Sequence, residues 1–148
     1  MKSLFEEDSR AEVLRRIDGL TPQSARLWGR MTVGQMVAHC SDQLRLSLGD
    51  LGSGPAHGPM RFPPLRRLII HRLPWPKGRA EAPPELFTTA PATLDGDREA
   101  LRVLIERFGH TAPEGAWPHH PKFGDLSGRD WGVLGYRHLD HHLRQFGQ

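Results

Sequence analysis

Residues 127–146 read SGRDWGVLGYRHLDHHLRQF, and this stretch predicts an amphipathic helix. Ser127 can cap its first turn, and Asp130 stands three residues later in the arrangement of a capping box. One face of the helix then carries residues three or four positions apart: Trp131, Leu134, His138, His142 and Gln145. Because this spacing matches the period of an α-helix, we predict a helix over about residues 128–146.

Three further segments share the helical period of apolar residues, namely residues 8–19, 33–48 and 96–108. Thr32 and Gln35 form a second candidate capping box, and Gly49 suits the left-handed conformation that often ends a helix. Asp95 is the expected cap of the last of these segments, and Gly109 is its expected stop. Together with residues 128–146, these patterns predict four helices.

Residues 50–95, between the second and third predicted helices, are interrupted repeatedly by glycine and proline. Prolines at this density exclude long helices and central strands. One short amphipathic helix fits at residues 65–73, and the remainder is expected to be an extended loop over the open end of the bundle. The predicted fold class is therefore all-α: a single domain over residues 1–148, a four-helix bundle with a long Pro/Gly-rich insert between its second and third helices.

Composition limits the possible classes of protein. The 148 residues are enough for one hydrophobic core, and only 37% of them are apolar. No apolar run approaches the length of a membrane span, and the first residues carry acids and no apolar segment typical of a signal peptide, so we expect a cytoplasmic protein with no membrane partner. The formal net charge of +3 is too small to indicate nucleic acid as a partner.

Histidine is the unusual component of the composition, with nine in the chain beside one cysteine, Cys40. A single cysteine excludes an internal disulfide and a cysteine-based zinc knuckle. His138 and His142 lie four residues apart, where helical side chains are neighbours with Cβ atoms about 5–6 Å apart. Two imidazoles so placed can bind one metal ion at roughly 2.0–2.1 Å, and His141 could substitute for one of them. A cluster of solvated histidines is the alternative interpretation.

A third ligand is expected from another helix, and His39 is the best candidate. It lies in the middle of the second predicted helix between apolar neighbours, where a surface histidine is not expected. A lone histidine in this position is more often a hydrogen-bonded core residue. The helical pair and His39 support each other, because a bundle brings the middle of one helix against another.

Four other residues are candidates for the surroundings of this site. Asp42 and Asp140 could accept hydrogen bonds from imidazole N–H groups, although exposed helix charge explains each of them as well. His119 and His120 precede the last helix and could line the mouth of the site or donate to a substrate. A role in loop packing is the alternative for both histidines.

Two segments resemble a known family. Residues 31–39, MTVGQMVAH, resemble the second helix of DinB/YfiT-like bundles, and residues 136–145, YRHLDHHLRQ, resemble their last helix. The longer pattern from HPKFG at 120–124 through Trp131-Gly132 to HLDHHLRQF is similar to an uncharacterised branch of that bacterial superfamily. The resemblance implies a four-helix bundle in which His39, His138 and His142 bind a divalent ion, with zinc or nickel expected.

The resemblance supports the site better than a reaction, since some members of the superfamily are thiol-dependent transferases or isomerases and many have no known activity. Three imidazoles leave a coordination position for water or substrate. Our hypothesis is a metal-dependent transfer of a small thiol, seated by basic residues of the insert: Arg61, Arg66, Arg67, Arg72, Lys77 and Arg79. The alternatives are a non-enzymatic, stress-related metal-binding protein and, more weakly, a metal-dependent hydrolase with Asp42 or Asp140 as base.

The insert also carries apolar residues that a small core would not cover, among them Phe62, Leu65, Ile69 and Trp75. Together with the superfamily resemblance, they favour a homodimer as the expected quaternary state.

Overall fold

The computed structural model describes residues 1–55, 57–78 and 84–148, and these residues form five α-helices. The helices are α1 (Glu7–Asp18), α2 (Val33–Ser47), α3 (Pro63–His71), α4 (Leu94–Gly109) and α5 (Gly128–Gln145). Short 3₁₀ helices cover Pro59–Arg61 and Pro84–Phe87, and the two-residue strands β1 (His119–His120) and β2 (Gly124–Asp125) pair antiparallel. The predicted all-α bundle is confirmed, although the sequence patterns did not predict the small hairpin.

The four long helices enclose one apolar core. α2 packs against α4 and α5, and α1 packs against the same two helices. Because apolar residues recur every three or four positions, each helix turns one stripe inward. The fully buried side chains include Ile17, Met36, Leu44, Leu101, Ile105, Phe108, Trp131 and Leu139.

Both predicted capping boxes are present. The Gln35 backbone N–H donates to Thr32 Oγ1 at 3.2 Å, while the Thr32 N–H donates to Gln35 Oε1 at 2.9 Å. Ser127 and Asp130 exchange the same pair of bonds at the start of α5. α2 and α5 therefore begin where the sequence patterns placed them. Gly49 follows the end of α2 with a φ of +80°, in the left-handed region that suits glycine.

The bounds of α4 correct two expectations. Thr93, not Asp95, caps this helix, because its Oγ1 accepts from the Gly96 N–H at 3.2 Å. Gly109 is the last residue of the helix, which therefore ends one residue later than predicted, with His110 at its C-cap. The Arg10 side chain of α1 packs over Gly109, and a Cβ there would lie closer than 3.0 Å to it, so a larger residue would have to displace the end of this side chain.

The insert contributes α3, which packs against α5. Arg137 of α5 donates to the carbonyls of Ile69, Ile70 and Leu73 and so satisfies the C-terminal end of α3. Ile70 is fully buried, while Trp75 packs partly against the core. These contacts hold part of the insert beside α5.

Within the described ranges, no helix combines the length and apolar character that crossing a membrane requires.

Candidate metal centre

The packing of α2 against α5 brings the three predicted ligands together. One nitrogen from each of His39, His138 and His142 can be chosen so that all three lie within 4.8 Å of one another. The Nε2 atoms of His39 and His138 are 3.0 Å apart. Two nitrogens bound to one tetrahedral ion at ~2.0–2.1 Å lie about 3.3 Å apart. Small rotations of the rings would therefore fit one ion to this cluster.

Hydrogen bonds on the outer sides of two rings set their tautomers. His39 Nδ1 lies 2.8 Å from the Leu86 carbonyl, which can only accept, so Nδ1 carries the proton and Nε2 keeps its lone pair. His142 Nδ1 likewise donates to Gln145 Oε1 at 2.9 Å, and Gln145 Nε2 donates to the Trp28 carbonyl at 2.7 Å. Such outer partners orient metal-binding imidazoles and raise their basicity.

All three imidazoles are neutral at physiological pH. Burial, reinforced by the neighbouring His142 and His39, holds the pKa of His138 well below its usual range. Burial together with His39 lowers the pKa of His142 to about 3, and burial also lowers the pKa of His39. Neutral imidazole is the form that binds metals. An all-nitrogen donor set suits zinc, nickel and similar ions and does not suit magnesium or calcium, which prefer oxygen.

Neither predicted carboxylate accepts a hydrogen bond from an imidazole, which corrects that expectation. Asp42 accepts from the backbone and hydroxyl groups of Thr88 and Thr89. Burial would raise the pKa of Asp42, but these hydrogen bonds outweigh it and lower the pKa. Asp140 pairs with Arg16 at 2.8 Å and with Arg144 at 3.1 Å. Asp42 therefore acts on the site only indirectly, by holding the segment that follows the Leu86 carbonyl.

The histidine cluster opens onto a cavity of about 760 Å³. Its walls come from α2, α5, the insert and the segment before α2. Most of the lining is apolar or aromatic, including Ile69, Trp75, Leu86, Phe87, Phe123 and Leu134. Arg30 and Lys122 add positive charge to the lining. A pocket of this size and character is typical of small-molecule sites.

Comparison with known proteins agrees with this architecture. The family model of the DinB superfamily matches residues 7–146. The chain belongs to the DinB superfamily. No curated protein and no solved structure matches it.

Two of the remaining candidate residues of this DinB superfamily protein line the cavity. His141 lies beside the ligand cluster, its ring centroid 6.0 Å from Trp28 and 6.0 Å from Trp75. His120 lines the cavity from the hairpin. His119 points elsewhere, with its Nδ1 2.8 Å from Asp125, and does not line the cavity.

His120 is a neutral hydrogen-bond donor. Its Nδ1 accepts from the backbone N–H groups of Lys122 at 2.9 Å and Phe123 at 3.2 Å, so its proton lies on Nε2. Burial, with a smaller contribution from Lys122, lowers the pKa of His120 to about 3. Near neutral pH this side chain is therefore able to donate a hydrogen bond through Nε2 but is not charged and cannot act as an imidazolium acid.

Sequence reasoning missed two residues that hold His39. Leu86 provides the carbonyl for Nδ1, and Phe87 stacks on the imidazole with ring centroids 4.8 Å apart and an interplanar angle of 19°. Both residues follow a proline-rich stretch with no periodicity that could indicate such a role. The contact of Gln145 with His142, in contrast, could have been predicted from the sequence, because Gln145 follows His142 by three residues and shares its helix face.

Proposed function

We propose that this protein binds one divalent ion, zinc or nickel, through His39, His138 and His142, and activates a small thiol for transfer to an electrophile. The observation that carries the proposal is the opening of the histidine cluster onto a cavity of about 760 Å³. A structural metal site is usually closed by a fourth protein ligand, whereas catalytic sites keep one position open. Membership of the DinB superfamily is compatible with such a site.

When bound, the ion would act as a Lewis acid and lower the pKa of a thiol, and the thiolate is the nucleophilic form. Three neutral imidazoles add no negative charge, so the charge of the ion is not offset by its ligands. Cys40 is buried, which raises the pKa of its thiol far above the usual range. The chain therefore supplies no competing thiolate of its own.

The basic residues that line the cavity are better placed to bind an anionic thiol than most of the basic residues of the insert. Arg30 and Lys122 line the cavity, and Lys77 lies over the Trp28 ring at 4.6 Å. Arg66 instead donates to the Phe123 carbonyl at 3.4 Å, and Arg79 lies outside the described residues. The seat for an anion is therefore expected at Arg30 and Lys122.

Hydrolysis is less well supported by the same geometry. A hydrolase of this kind needs a carboxylate base beside the ion, and none of the described residues that line the cavity is aspartate or glutamate. Asp42 and Asp140 are held by Thr88, Thr89 and two arginines. Non-enzymatic metal binding remains the competing function that the experiment must distinguish.

The first experiment is metal binding by the untagged protein, followed by thermal unfolding. Zinc at about 100 times its Kd should stabilise the fold by about 2.7 kcal/mol, because it binds only the folded site. His142→Ala should abolish this stabilisation, while the exposed His57→Ala should retain it. Absence of tight zinc, nickel, cobalt or manganese binding would refute the metal site.

The second experiment follows conjugation of monobromobimane by a panel of small thiols. In this reaction a sulfur–carbon bond forms, the carbon–bromine bond breaks, and bromide leaves while the thiol proton passes to solvent. One thiol should react in a metal-dependent way with wild type and His57→Ala. The metal-dependent rate of His142→Ala should be lower than that of wild type by more than roughly 100-fold, which is the upper end of the loss typical when only an outer-shell partner is removed. Equal rates for all proteins and for metal-free samples would favour the non-enzymatic function.

A further inference from the structure

Gln43 is a buried polar residue whose side chain has no partner. It lies on α2, its exposed fraction is 2%, and it lines the cavity. Neither Oε1 nor Nε2 has a hydrogen-bond partner among the described residues. A buried group left without a partner destabilises the fold by about 1–3 kcal/mol, so native proteins keep few of them, and each calls for an explanation.

The other buried polar side chains of α2 all have partners. Ser41 and Ser47 donate to the carbonyls of Val37 and Leu44 on their own helix. Asp42 accepts from Thr88 and Thr89, and His39 bonds to the Leu86 carbonyl. Of the five buried polar side chains of α2, Gln43 alone has no partner among the described residues, and it lines the cavity together with His39.

The position of Gln43 relates it to the histidine cluster. It follows His39 by four residues, which places the two on the same helix face with Cβ atoms about 5–6 Å apart. Other residues that line the cavity, such as Leu86, Phe123 and Leu134, are apolar and offer no side-chain hydrogen bond. A ligand that reaches the histidine cluster would also lie within reach of the Gln43 carboxamide.

The carboxamide presents one acceptor and two donor hydrogens, and it does so in either orientation of the amide. An amide, lactam or urea group on a bound molecule can donate to the carboxamide oxygen and accept from the carboxamide NH₂ at the same time. A ketone or ester offers only an acceptor, and a carboxylate would set its oxygen against Oε1. His120 adds a further neutral donor on the same cavity, since its Nδ1 is occupied by two backbone N–H groups.

We propose that Gln43 is a specificity residue that recognises an amide-type group, with adjacent donor and acceptor, on the small molecule bound in this cavity. The inference rests on the proposed function in assigning the same cavity to a substrate. It narrows the substrate class to small molecules that carry an amide, lactam or urea beside the group that reaches the histidines.

The test uses two probes of the same shape, benzamide and acetophenone, which differ in that only benzamide has a donor. Binding is followed by ¹H–¹⁵N NMR titration of the zinc-loaded and the metal-free full-length protein. Wild type should bind benzamide about tenfold more tightly than acetophenone, because a site built for a polar group rejects an analogue that leaves it unpaired. The Gln43 side-chain NH₂ resonance, assigned by its loss in Gln43→Leu, should shift with benzamide.

Two variants complete the titration. Gln43→Leu should reduce the preference for benzamide to about onefold, while the exposed Gln23→Leu should keep it. Three outcomes would each overturn the proposal. Wild type could bind the two probes equally, it could show no measurable binding of benzamide, or the preference for benzamide could survive in Gln43→Leu. Because the metal-free protein is titrated as well, a failure to bind zinc would refute the metal site without obscuring the result for Gln43.

Thermal unfolding of the ligand-free protein separates recognition from a purely structural role. Replacing an unpaired buried amide by an apolar side chain of similar shape is near neutral or stabilising. We therefore expect the melting temperature of Gln43→Leu to stay level or rise. A fall on the order of 4 °C or more would show that the carboxamide supports the fold, and would overturn the proposal.

Discussion

Gln145 connects two parts of the site that lie far apart in the chain. Its Oε1 accepts from His142 Nδ1 at 2.9 Å, and its Nε2 donates to the Trp28 carbonyl at 2.7 Å. The side chain is buried, so it is held in place by these two bonds and by packing. At the scale of single residues, the orientation of the candidate ligand His142 therefore depends on a neighbour outside the histidine cluster.

We expect Gln145→Leu to weaken zinc binding by roughly 10–100-fold, the usual effect of losing an outer-shell partner of an imidazole. Gln145→Glu retains an acceptor for His142 Nδ1 and should recover much of the affinity. Competition with a chromophoric chelator measures both values. Equal affinities for wild type and Gln145→Leu would show that the hydrogen bond does not tune the ligand.

His120 should make the stability of the fold sensitive to acid. Its pKa is about 3 in the folded chain and ~6.5 when unfolded, so the unfolded state binds more protons between these values. Stability therefore falls as pH drops below about 6.5. Between pH 7 and pH 5 this residue alone should remove about 2 kcal/mol of the free energy of unfolding.

The matched variant is His120→Asn, whose Oδ1 can accept from the same backbone N–H groups but does not titrate. Urea unfolding in the presence of a chelator, at pH 7 and pH 5, measures the difference. Wild type should lose about 2 kcal/mol more than the variant on acidification. Identical losses would mean that His120 takes up a proton in the folded state as readily as in the unfolded state, and would contradict the prediction.

At the scale of elements, α5 depends on glycines at its packing contacts. A Cβ on Gly128, in the first turn, would lie closer than 3.0 Å to the Pro113 carbonyl oxygen and to the Trp117 ring. A Cβ on Gly132 or Gly135 would also lie closer than 3.0 Å to side chains of residues 3–5, and Leu4 is fully buried against this helix. The helix that carries His138 and His142 therefore packs closely at three glycines, and at Gly128 the close contact includes the backbone of a neighbouring segment.

We expect Gly128→Ala to reduce the free energy of unfolding by roughly 1–3 kcal/mol. Helix propensity alone would predict a gain of about 1 kcal/mol for this change, so the sign of the effect tests the close contact. Gly52→Ala is the control, because no atom lies within 4 Å of its Cβ position, and it should change stability by less than about 0.5 kcal/mol. Urea unfolding decides the question, and a stabilised Gly128→Ala would contradict the packing.

At the scale of the whole molecule, the insert leaves apolar side chains at the surface. The exposed fractions are 55% for Phe62, 44% for Leu68 and 41% for Leu73, while Leu65, Ile69 and Trp75 are half-buried. A homodimer formed through this surface therefore stays a prediction.

Light scattering should give twice the mass of the chain at micromolar concentration. The double substitution Phe62→Glu with Leu68→Glu should shift the protein to a monomer, because it places charge in an apolar interface. The exposed Leu27→Glu on the segment before α2 is the matched control. A monomeric mass for wild type over a wide range of concentrations would exclude the dimer.

Local sequence patterns are enough to predict the long helices, both capping boxes and the three candidate ligands. These features depend on residues within a few positions of one another: the period of apolar side chains, Thr32 with Gln35, and His138 with His142. Local spacing constrains local backbone strongly, which is why α2 and α5 lie close to their predicted bounds. The start of α4 differs because Thr93 and Asp95 are both good caps, and only the packed chain selects between them.

The surroundings of the three candidate ligands depend instead on contacts between residues far apart in the chain. His39 bonds to a carbonyl 47 residues away, and Asp42 to threonines 46 and 47 residues away. His119 and His120 are adjacent in sequence, yet only His120 lines the cavity, because successive residues of a strand point to opposite faces. Whether a buried group such as Gln43 has a partner depends on every element that packs around it, and no local pattern encodes that.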